Sequence, residues 1–283
     1  MTPLRLEAPA KLNLSLAVTG RRADGYHELA SVFVLLELAD RLLLMPGCSG
    51  LRIEAPPDEE IPAGSANLAW RGLRVGMGEE PQLACLTVEK QIAVAAGMGG
   101  GSSDAAAAWR LGRRWVGAPE RLAAGEIEAL SAIGADVPFF AAAVAAAYVT
   151  GIGERVEALP PEPAVVVLVH PPFALSTAAV FAELRPADWS GTSPPHAAEP
   201  GVNDLLGPAR RLRPEIDDLR RLVLAAGGEP HLTGSGPTLF VISDDDERAS
   251  SVSSRLARAG LRTTLTRTRG EAASIEAIAE EAT

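Results

Sequence analysis

Two stretches near the start of the chain alternate apolar and polar residues with a period of two, Leu4-Arg5-Leu6-Glu7 and Leu12-Asn13-Leu14-Ser15-Leu16-Ala17-Val18. Each predicts a strand with one buried face. The polar run between Gly20 and Glu28 breaks the pattern, with a turn expected at Asp24-Gly25. Further strands are predicted over 30–38, 41–45, 51–54 and 83–88, with a helix over 67–75 between the last two. After residue 104 the spacing becomes helical through Arg114, and Pro119 is placed to open a second helix ending near Gly134. Pro138 suits the first turn of a third, with Asp136 near its cap. A strand over 145–150, a turn from Gly151 to Glu154 and an all-apolar strand over 165–169 follow, the last of the kind buried inside a mixed sheet. Helices are then predicted over 176–184, 205–226 and 248–259, strands over 239–242 and 262–266, and a short surface helix from Glu271. The Pro-, Ser-, Gly- and Ala-rich segment 186–200 is the candidate mobile loop. Strands mixed with helices, without regular β-α-β alternation, predict an α+β chain of two domains, 1–157 and 158–283.

Composition narrows the function. The formal charge of -10 argues against a general nucleic-acid binder, which would cluster Lys and Arg, so any phosphate is bound locally. No apolar run approaches a membrane span and the first residues lack a signal-peptide core, so a cytoplasmic location is the default expectation. Cys48 and Cys85 show no CxxC spacing and no nearby His, which predicts buried free thiols rather than a metal site or a disulfide framework. Every basic side chain is Arg except Lys11 and Lys90, two places where a compact ammonium is used instead of a planar guanidinium.

The chemistry concentrates in Gly97-Met98-Gly99-Gly100-Gly101-Ser102-Ser103-Asp104, which runs directly into the helical alanines. Glycines let backbone N–H groups approach an anion, and the helix start adds unpaired donors and the positive end of its dipole. Ser102 or Ser103 is expected to cap that helix or to reach a phosphate or a metal. A flexible linker would have polar flanks, whereas Ile92 to Ala96 and Ala105 to Leu111 are apolar. A P-loop is excluded because no lysine follows the glycines, and a dinucleotide fingerprint because Ser102 stands where its spacing fails. The HRD and DFG sequences of a protein kinase are absent.

This loop is similar to the second motif of the GHMP kinase superfamily, named for galactokinase, homoserine kinase, mevalonate kinase and phosphomevalonate kinase. Pro9-Ala10-Lys11-Leu12-Asn13-Leu14 resembles its first motif and Thr233-Gly234-Ser235-Gly236-Pro237-Thr238 its third. Further segments, in order along nearly the whole chain, resemble one branch acting on a cytidine diphosphate derivative of methylerythritol. They are Gly20 to Glu28, Asn67-Leu68 with Arg71, Gly134 to Phe140, Gly151 to Arg155, Ser176 to Phe181, and Asn203-Asp204-Leu205.

The resemblance implies a two-domain GHMP kinase fold, with an N-terminal domain like ribosomal protein S5 domain 2, a ferredoxin-like C-terminal domain, and the site between them. It implies ATP as phosphoryl donor, with Mg2+, and a small-molecule acceptor. Asp136 matches the catalytic aspartate and Lys11 its partner. Gly97, Gly99, Gly100, Gly101, Ser102 and Ser103 would wrap the phosphates, with Asn67 and Lys90 on the adenosine side. Tyr26 and Phe181 match two rings that stack on cytosine, and His27 the residue that hydrogen-bonds its edge. Asn13 and Thr177 would contact the methylerythritol phosphate end. Another superfamily kinase, for mevalonate, phosphomevalonate or homoserine, has no base to stack on these rings. A non-catalytic nucleotide or sugar binder would have no need of both Lys11 and Asp136. The chain departs from the resembled pattern in Ala93, where Pro is usual, and after Phe139-Phe140, where a Gly-Gly pair is common and this chain has Ala142-Ala143-Val144. The second departure makes 136–151 the place to look for an altered backbone path.

Overall fold

The computed structural model describes residues 2–57, 59, 61–78, 80, 81, 83–191 and 200–278. The four N-terminal strand predictions resolve into two long strands, β1 (Leu4–Arg21) and β2 (His27–Pro46). They pair antiparallel from Leu4 opposite Leu44 to Arg21 opposite His27, with register shifts between Pro9 and Lys11, Asn13 and Ser15, and Val18 and Gly20. The expected breaks are therefore irregularities inside continuous strands, where Pro9, lacking an N–H, is tolerated.

β3 (Gly50–Glu54), β4 (Ala84–Glu89), β5 (Ala146–Gly151), β6 (Arg155–Leu159) and β11 (Glu276–Ala277) complete the first sheet. Its order is β11-β1-β2-β4-β3, with β5 also on β2 and β6 on β5. β2 changes partner along its length: residues 41–46 pair with β4 and 29–34 with β5. The stretch between these two pairings is where the glycine-rich segment enters.

β7 (Val165–His170), β8 (His231–Leu232), β9 (Leu239–Ser243) and β10 (Arg262–Arg267) form a second, antiparallel sheet in the order β10-β7-β9-β8. Every residue of β7 is buried, because the sheet is covered on both faces. Leu12, Leu14, Val32 and Val34 of the first sheet pack against Val166, Leu168 and Phe240 on one side. On the other lie α5 (Thr177–Glu183), α6 (Leu206–Leu212), α7 (Glu215–Ala225) and α8 (Asp246–Arg258), through Val180, Ala209, Leu219 and Val252.

α1 (Leu68–Met77) and α2 (Gly100–Trp115) cover the first sheet, with Trp70, Leu73, Ala107 and Leu111 against Leu6, Leu42 and Leu86. Their crossing is unusually close: a Cβ on Gly72 would stand 2.0 Å from Ala105 O, and one on Gly76 2.2 Å from Trp109 O. α3 (Ile127–Ser131) and α4 (Val137–Ala141) close the far side of α2.

Several expectations are corrected. No helix starts at Pro119; Arg113 holds the Pro119 carbonyl and Arg110 and Arg114 hold Glu120 against α2, so helix begins only at 124. The helix over 205–226 is split at Arg213-Pro214, where the proline disfavours helical backbone before it. The tail is strand rather than helix: β11 covers the edge of β1 while Ala273 and Ile275 pack on the α1–α2 core. Cys48 and Cys85 are partly exposed and joined in a disulfide, because the β2–β4 register sets Cys85 opposite Met45 and brings the two Cα atoms within 5.3 Å. In the expected mobile loop, Pro186–Asp188 is a 3-10 turn and 192–199 lie outside the described residues. Among the described residues no helix is long and apolar enough to cross a membrane.

Candidate active site

The glycine loop is pinned at both ends by one buried charge cluster. Asp40, fully buried on β2, accepts the N–H groups of Gln91 (2.5 Å) and Ile92 (2.8 Å) and pairs with Lys90 at the loop entry. The same ammonium meets Asp104, in the second turn of α2, at 2.6 Å. Burial by itself would lower the Lys90 pKa, yet Asp104 and Asp40 outweigh it and hold the ammonium above its ordinary value. Burial drives Asp104 the other way from a free carboxyl, well above the usual carboxylate range, with Lys90 opposing and Asp40 reinforcing the rise. Lys90 thus lines the cleft with its charge already engaged.

Within the loop, Gly97 (φ 76°) and Gly99 (φ 71°) adopt left-handed backbone that glycine accepts without strain. Gly99 is itself the cap of α2, so neither serine caps the helix. The N–H groups of Gly100, Gly101 and Ser102 have no acceptor within the helix and sit at the wall of the cleft. Ser103, one position on, turns away from it. Its hydroxyl is buried beside a small cavity shared with Leu35, Arg110 and Phe140, and Ser103 does not line the cleft.

Lys11 and Asn13 lie at the first two register shifts of β1 and project from the same face. The freed N–H of Lys11 donates to Met98 O at 3.0 Å, tying β1 to the loop. Its buried ammonium donates to Asn13 Oδ1 (2.5 Å), lies 4.5 Å from the centre of the Phe33 ring and stands 3.3 Å from Asp136 Oδ2. Asp136 occupies the cap position of α4 but its side chain makes no capping bond, which leaves the carboxylate turned to Lys11. Two glycines allow this placement. A Cβ on Gly153 would meet Ala135 O at 2.4 Å, and one on Gly134 would meet Ser102 Oγ at 3.0 Å.

At the other end of the cleft, Tyr26 is 63% exposed on the β1–β2 turn, and the His27 ring stacks on Phe181 with centroids 5.6 Å apart at 25°. Burial, with Arg21 second, lowers the His27 pKa, so the imidazole is neutral near pH 7 and carries one donor and one acceptor nitrogen. Thr177 Oγ1 and Ser235 Oγ are 2.8 Å apart and join α5 to the loop before β9. Asn67 caps α1 through Ala69 N (2.9 Å) and donates to Pro62 O, shaping the wall beyond the glycine loop.

All the candidate residues except Ser103 line one cleft of about 1140 Å³. Sequence reasoning missed Asp40, whose partners lie some fifty residues away, and the work of Asn203-Asp204. Asn203 donates to the carbonyls of Leu232 (2.8 Å) and Gly234 (2.9 Å), and Asp204 accepts from Val18 N (2.7 Å). The Asn203-Asp204 pair was visible as a motif; its structural task was not.

Comparison with known proteins follows the same lines. Residues 67–151 match the GHMP kinases N terminal domain and 197–262 the GHMP kinases C terminal model. The 4-diphosphocytidyl-2-C-methyl-D-erythritol kinase of Rhodopseudomonas palustris (strain BisA53) is 36% identical over 288 residues, covering 92% of this chain and 95% of that protein. The Thermus thermophilus kinase of the same name is 38% identical over 259 residues, 86% of this chain and 88% of the relative. A crystal structure of 4-(cytidine 5'-diphospho)-2C-methyl-D-erythritol kinase superposes with a TM-score of 0.77 at 34% identity, over 94% of this chain and 99% of that one. Homoserine kinase from Cytophaga hutchinsonii shares the fold at a TM-score of 0.66 and 16% identity, covering 98% of each chain. Alike over nearly its whole length, in sequence and in backbone, the chain belongs to the 4-diphosphocytidyl-2-C-methyl-D-erythritol kinase family of the GHMP kinases.

Proposed function

We propose that the protein transfers the γ-phosphoryl group of ATP to the 2-hydroxyl of 4-diphosphocytidyl-2-C-methyl-D-erythritol, a cytoplasmic step of non-mevalonate isoprenoid precursor synthesis. The observation that carries this reading is the Lys11–Asp136 pair, 3.3 Å apart, set between the glycine loop and the aromatic end of one cleft. Residues 1–157 form the domain that holds the ATP phosphates and 158–283 the domain that completes the acceptor site, apart from the end of β6 and the segment with Ala273, Ile275 and β11, which return to the first sheet and its core.

The unpaired N–H groups of Gly100, Gly101 and Ser102 and the positive end of α2 receive the ATP phosphates. Asp136 accepts the hydrogen bond of the acceptor hydroxyl and takes its proton as that oxygen bonds to the γ-phosphorus and ADP departs. Lys11, removed from water and held by Asn13 and Phe33, offsets negative charge on the transferring group without having to reorganise. Tyr26 and Phe181 supply faces for cytosine, and the neutral His27 imidazole a hydrogen bond to its edge. Stacking of this kind contributes about 1 to 3 kcal/mol per base.

Among the described residues no three His, Cys, Asp or Glu side chains gather as a metal site. Ser102 and Asp136 nevertheless line the cleft together and offer hard oxygen donors, which fits a magnesium ion that arrives on the nucleotide. Those two residues would hold it, and the ion would supply charge neutralisation at the phosphate oxygens.

An ADP-release assay with the cytidyl substrate, homoserine and mevalonate offered in parallel tests the reading. Turnover is expected with the cytidyl substrate alone. Activity with homoserine or mevalonate and none with the cytidyl substrate would refute it.

A further inference from the structure

His27 touches a second ring that the family motifs do not include. Trp189, at the end of the 3-10 turn after α5, meets the imidazole edge-on, with centroids 5.8 Å apart and planes at 85°. His27 is therefore held on two sides, flat against Phe181 and edge-on against Trp189. Trp189 does not line the cleft and is half-buried, packed on the core beneath α5 and α6 together with Phe181 and Leu184. We propose that Trp189 is a positioning residue for cytidyl recognition, fixing the plane of the His27 imidazole so that its ring nitrogens meet the edge of the base.

The anchoring of Trp189 supports this. On one side of it Asp188 accepts two hydrogen bonds from Arg211, at 3.0 and 2.7 Å, and Arg211 also binds Glu183 on α5. On the other side both the N–H and the hydroxyl of Ser190 donate to Asp204 Oδ2 at 2.9 Å. That same oxygen accepts Val18 N at 2.7 Å, and Val18 pairs with Leu29, two residues from His27 on β2. One carboxylate oxygen thus references both the indole and the strand that carries the imidazole. A flexible linker would have no use for such a double tether, and a ring set at 85° to the imidazole limits how far it can turn. Edge-to-face and offset-stacked contacts are the two arrangements favoured between aromatic groups, and His27 makes one of each kind, with Trp189 and with Phe181.

The proposal rests on the functional reading above for its substrate, but its structural part is tested separately. Trp189→Ala is expected to raise KM for the cytidyl substrate about tenfold while KM for ATP and kcat stay within about twofold. Trp189→Phe, which keeps a ring edge, should restore most of the loss. The His27 imidazole, followed by NMR and assigned by its disappearance in His27→Gln, should titrate at higher pH in Trp189→Ala, because the burial that lowers it is relieved while Arg21 remains. If Trp189→Ala does not fold, Trp189→Leu keeps apolar volume without an aromatic ring and carries the two KM measurements, while Trp189→Ser, which relieves the burial, carries the titration. An unchanged His27 titration, or an equal rise in both KM values, overturns the proposal. Absence of any turnover with the cytidyl substrate would instead sink the functional reading, while the NMR titration still decides whether Trp189 orients His27.

Discussion

Gly97 and Thr233 meet backbone against backbone: a Cβ on Gly97 would stand 2.7 Å from the Thr233 carbonyl oxygen and 2.9 Å from that of Gly236. The loop that follows β8 is therefore docked directly on the glycine loop, and Lys11 lies alongside, 3.7 Å from where a Cβ on Gly234 would be. Backbone cannot yield as a flexible side chain does, so an added methyl must push the two loops apart. Gly97→Ala is expected to lower kcat/KM for ATP by about a hundredfold, the cost of misplacing reacting groups by about 1 Å. Gly78→Ala is the matched control: its φ is 76° as well, but nothing lies within 4 Å. It should cost about 1 kcal/mol of stability and leave ATP kinetics unaltered. Equal kinetic losses in the two variants would show that strain, not the contact, governs the loop.

Asp136→Asn keeps the shape of the side chain and its place beside Lys11 while removing its capacity to take a proton. The expected result is a fall in kcat of about a hundredfold to ten-thousandfold with ATP affinity within a few-fold, read from initial rates and from nucleotide binding in the absence of acceptor. Turnover close to that of the unaltered protein would remove Asp136 from the role of base.

The chemistry was more legible in the sequence than the architecture that holds it. Gly97 to Ser102 stand out through residue type and local order and Lys11 as a lysine among arginines, whereas Asp136 is singled out only because Gly134 to Phe140 resembles a family motif. Long-range placement leaves no such trace. Asp40 looks like an interruption in a strand until Lys90 and the N–H groups of Gln91 and Ile92 close on it. Ser103 and Ser102 look interchangeable, yet the turn of α2 sends one to the cleft and the other into the core. The disulfide depends on β2–β4 register, and the closing strand β11 on an open edge of β1, neither of which periodicity reports.

His170 gives a pH dependence of stability that is separable from catalysis. It ends β7, buried, with Nε2 2.9 Å from Thr264 Oγ1, and burial, followed by Arg262, lowers its pKa from 6.5 to about 4. Between those values the unfolded chain binds a proton that the folded one does not, so stability is full above pH 6.5 and is lost as pH falls toward 4. Urea unfolding is expected to show that this group removes about 2 kcal/mol between about pH 7 and pH 5. His27 and His231 are lowered as well, so the test is the difference between the unaltered protein and His170→Gln. The variant should lose less stability over that range by about the same amount, and parallel pH profiles would show that His170 is not the group responsible.

Ala143 has left-handed backbone, with φ at 53°, a conformation that glycine adopts without strain and alanine does not. The turn after α4, closed by Ala143 N to Phe140 O at 3.3 Å, is therefore held at a cost in strain. A left-handed residue with a Cβ is disfavoured by about 1 to 2 kcal/mol, from which the greater freedom of glycine in the unfolded chain subtracts about 0.4 to 1 kcal/mol. Ala143→Gly should accordingly stabilise the protein by about 0.5 to 1 kcal/mol and raise Tm by about 1 to 3 °C. Ala143 is not part of the cleft, so kcat and both KM values should stay as they are. The comparison to make is Ala142→Gly, one residue earlier at φ -65°, where ordinary helical backbone gains nothing from glycine and the entropic cost alone remains. Opposite signs of ΔTm at the two neighbouring positions would establish that strain at Ala143 is held in the fold, whereas destabilisation by both would show that the turn is relaxed as it stands.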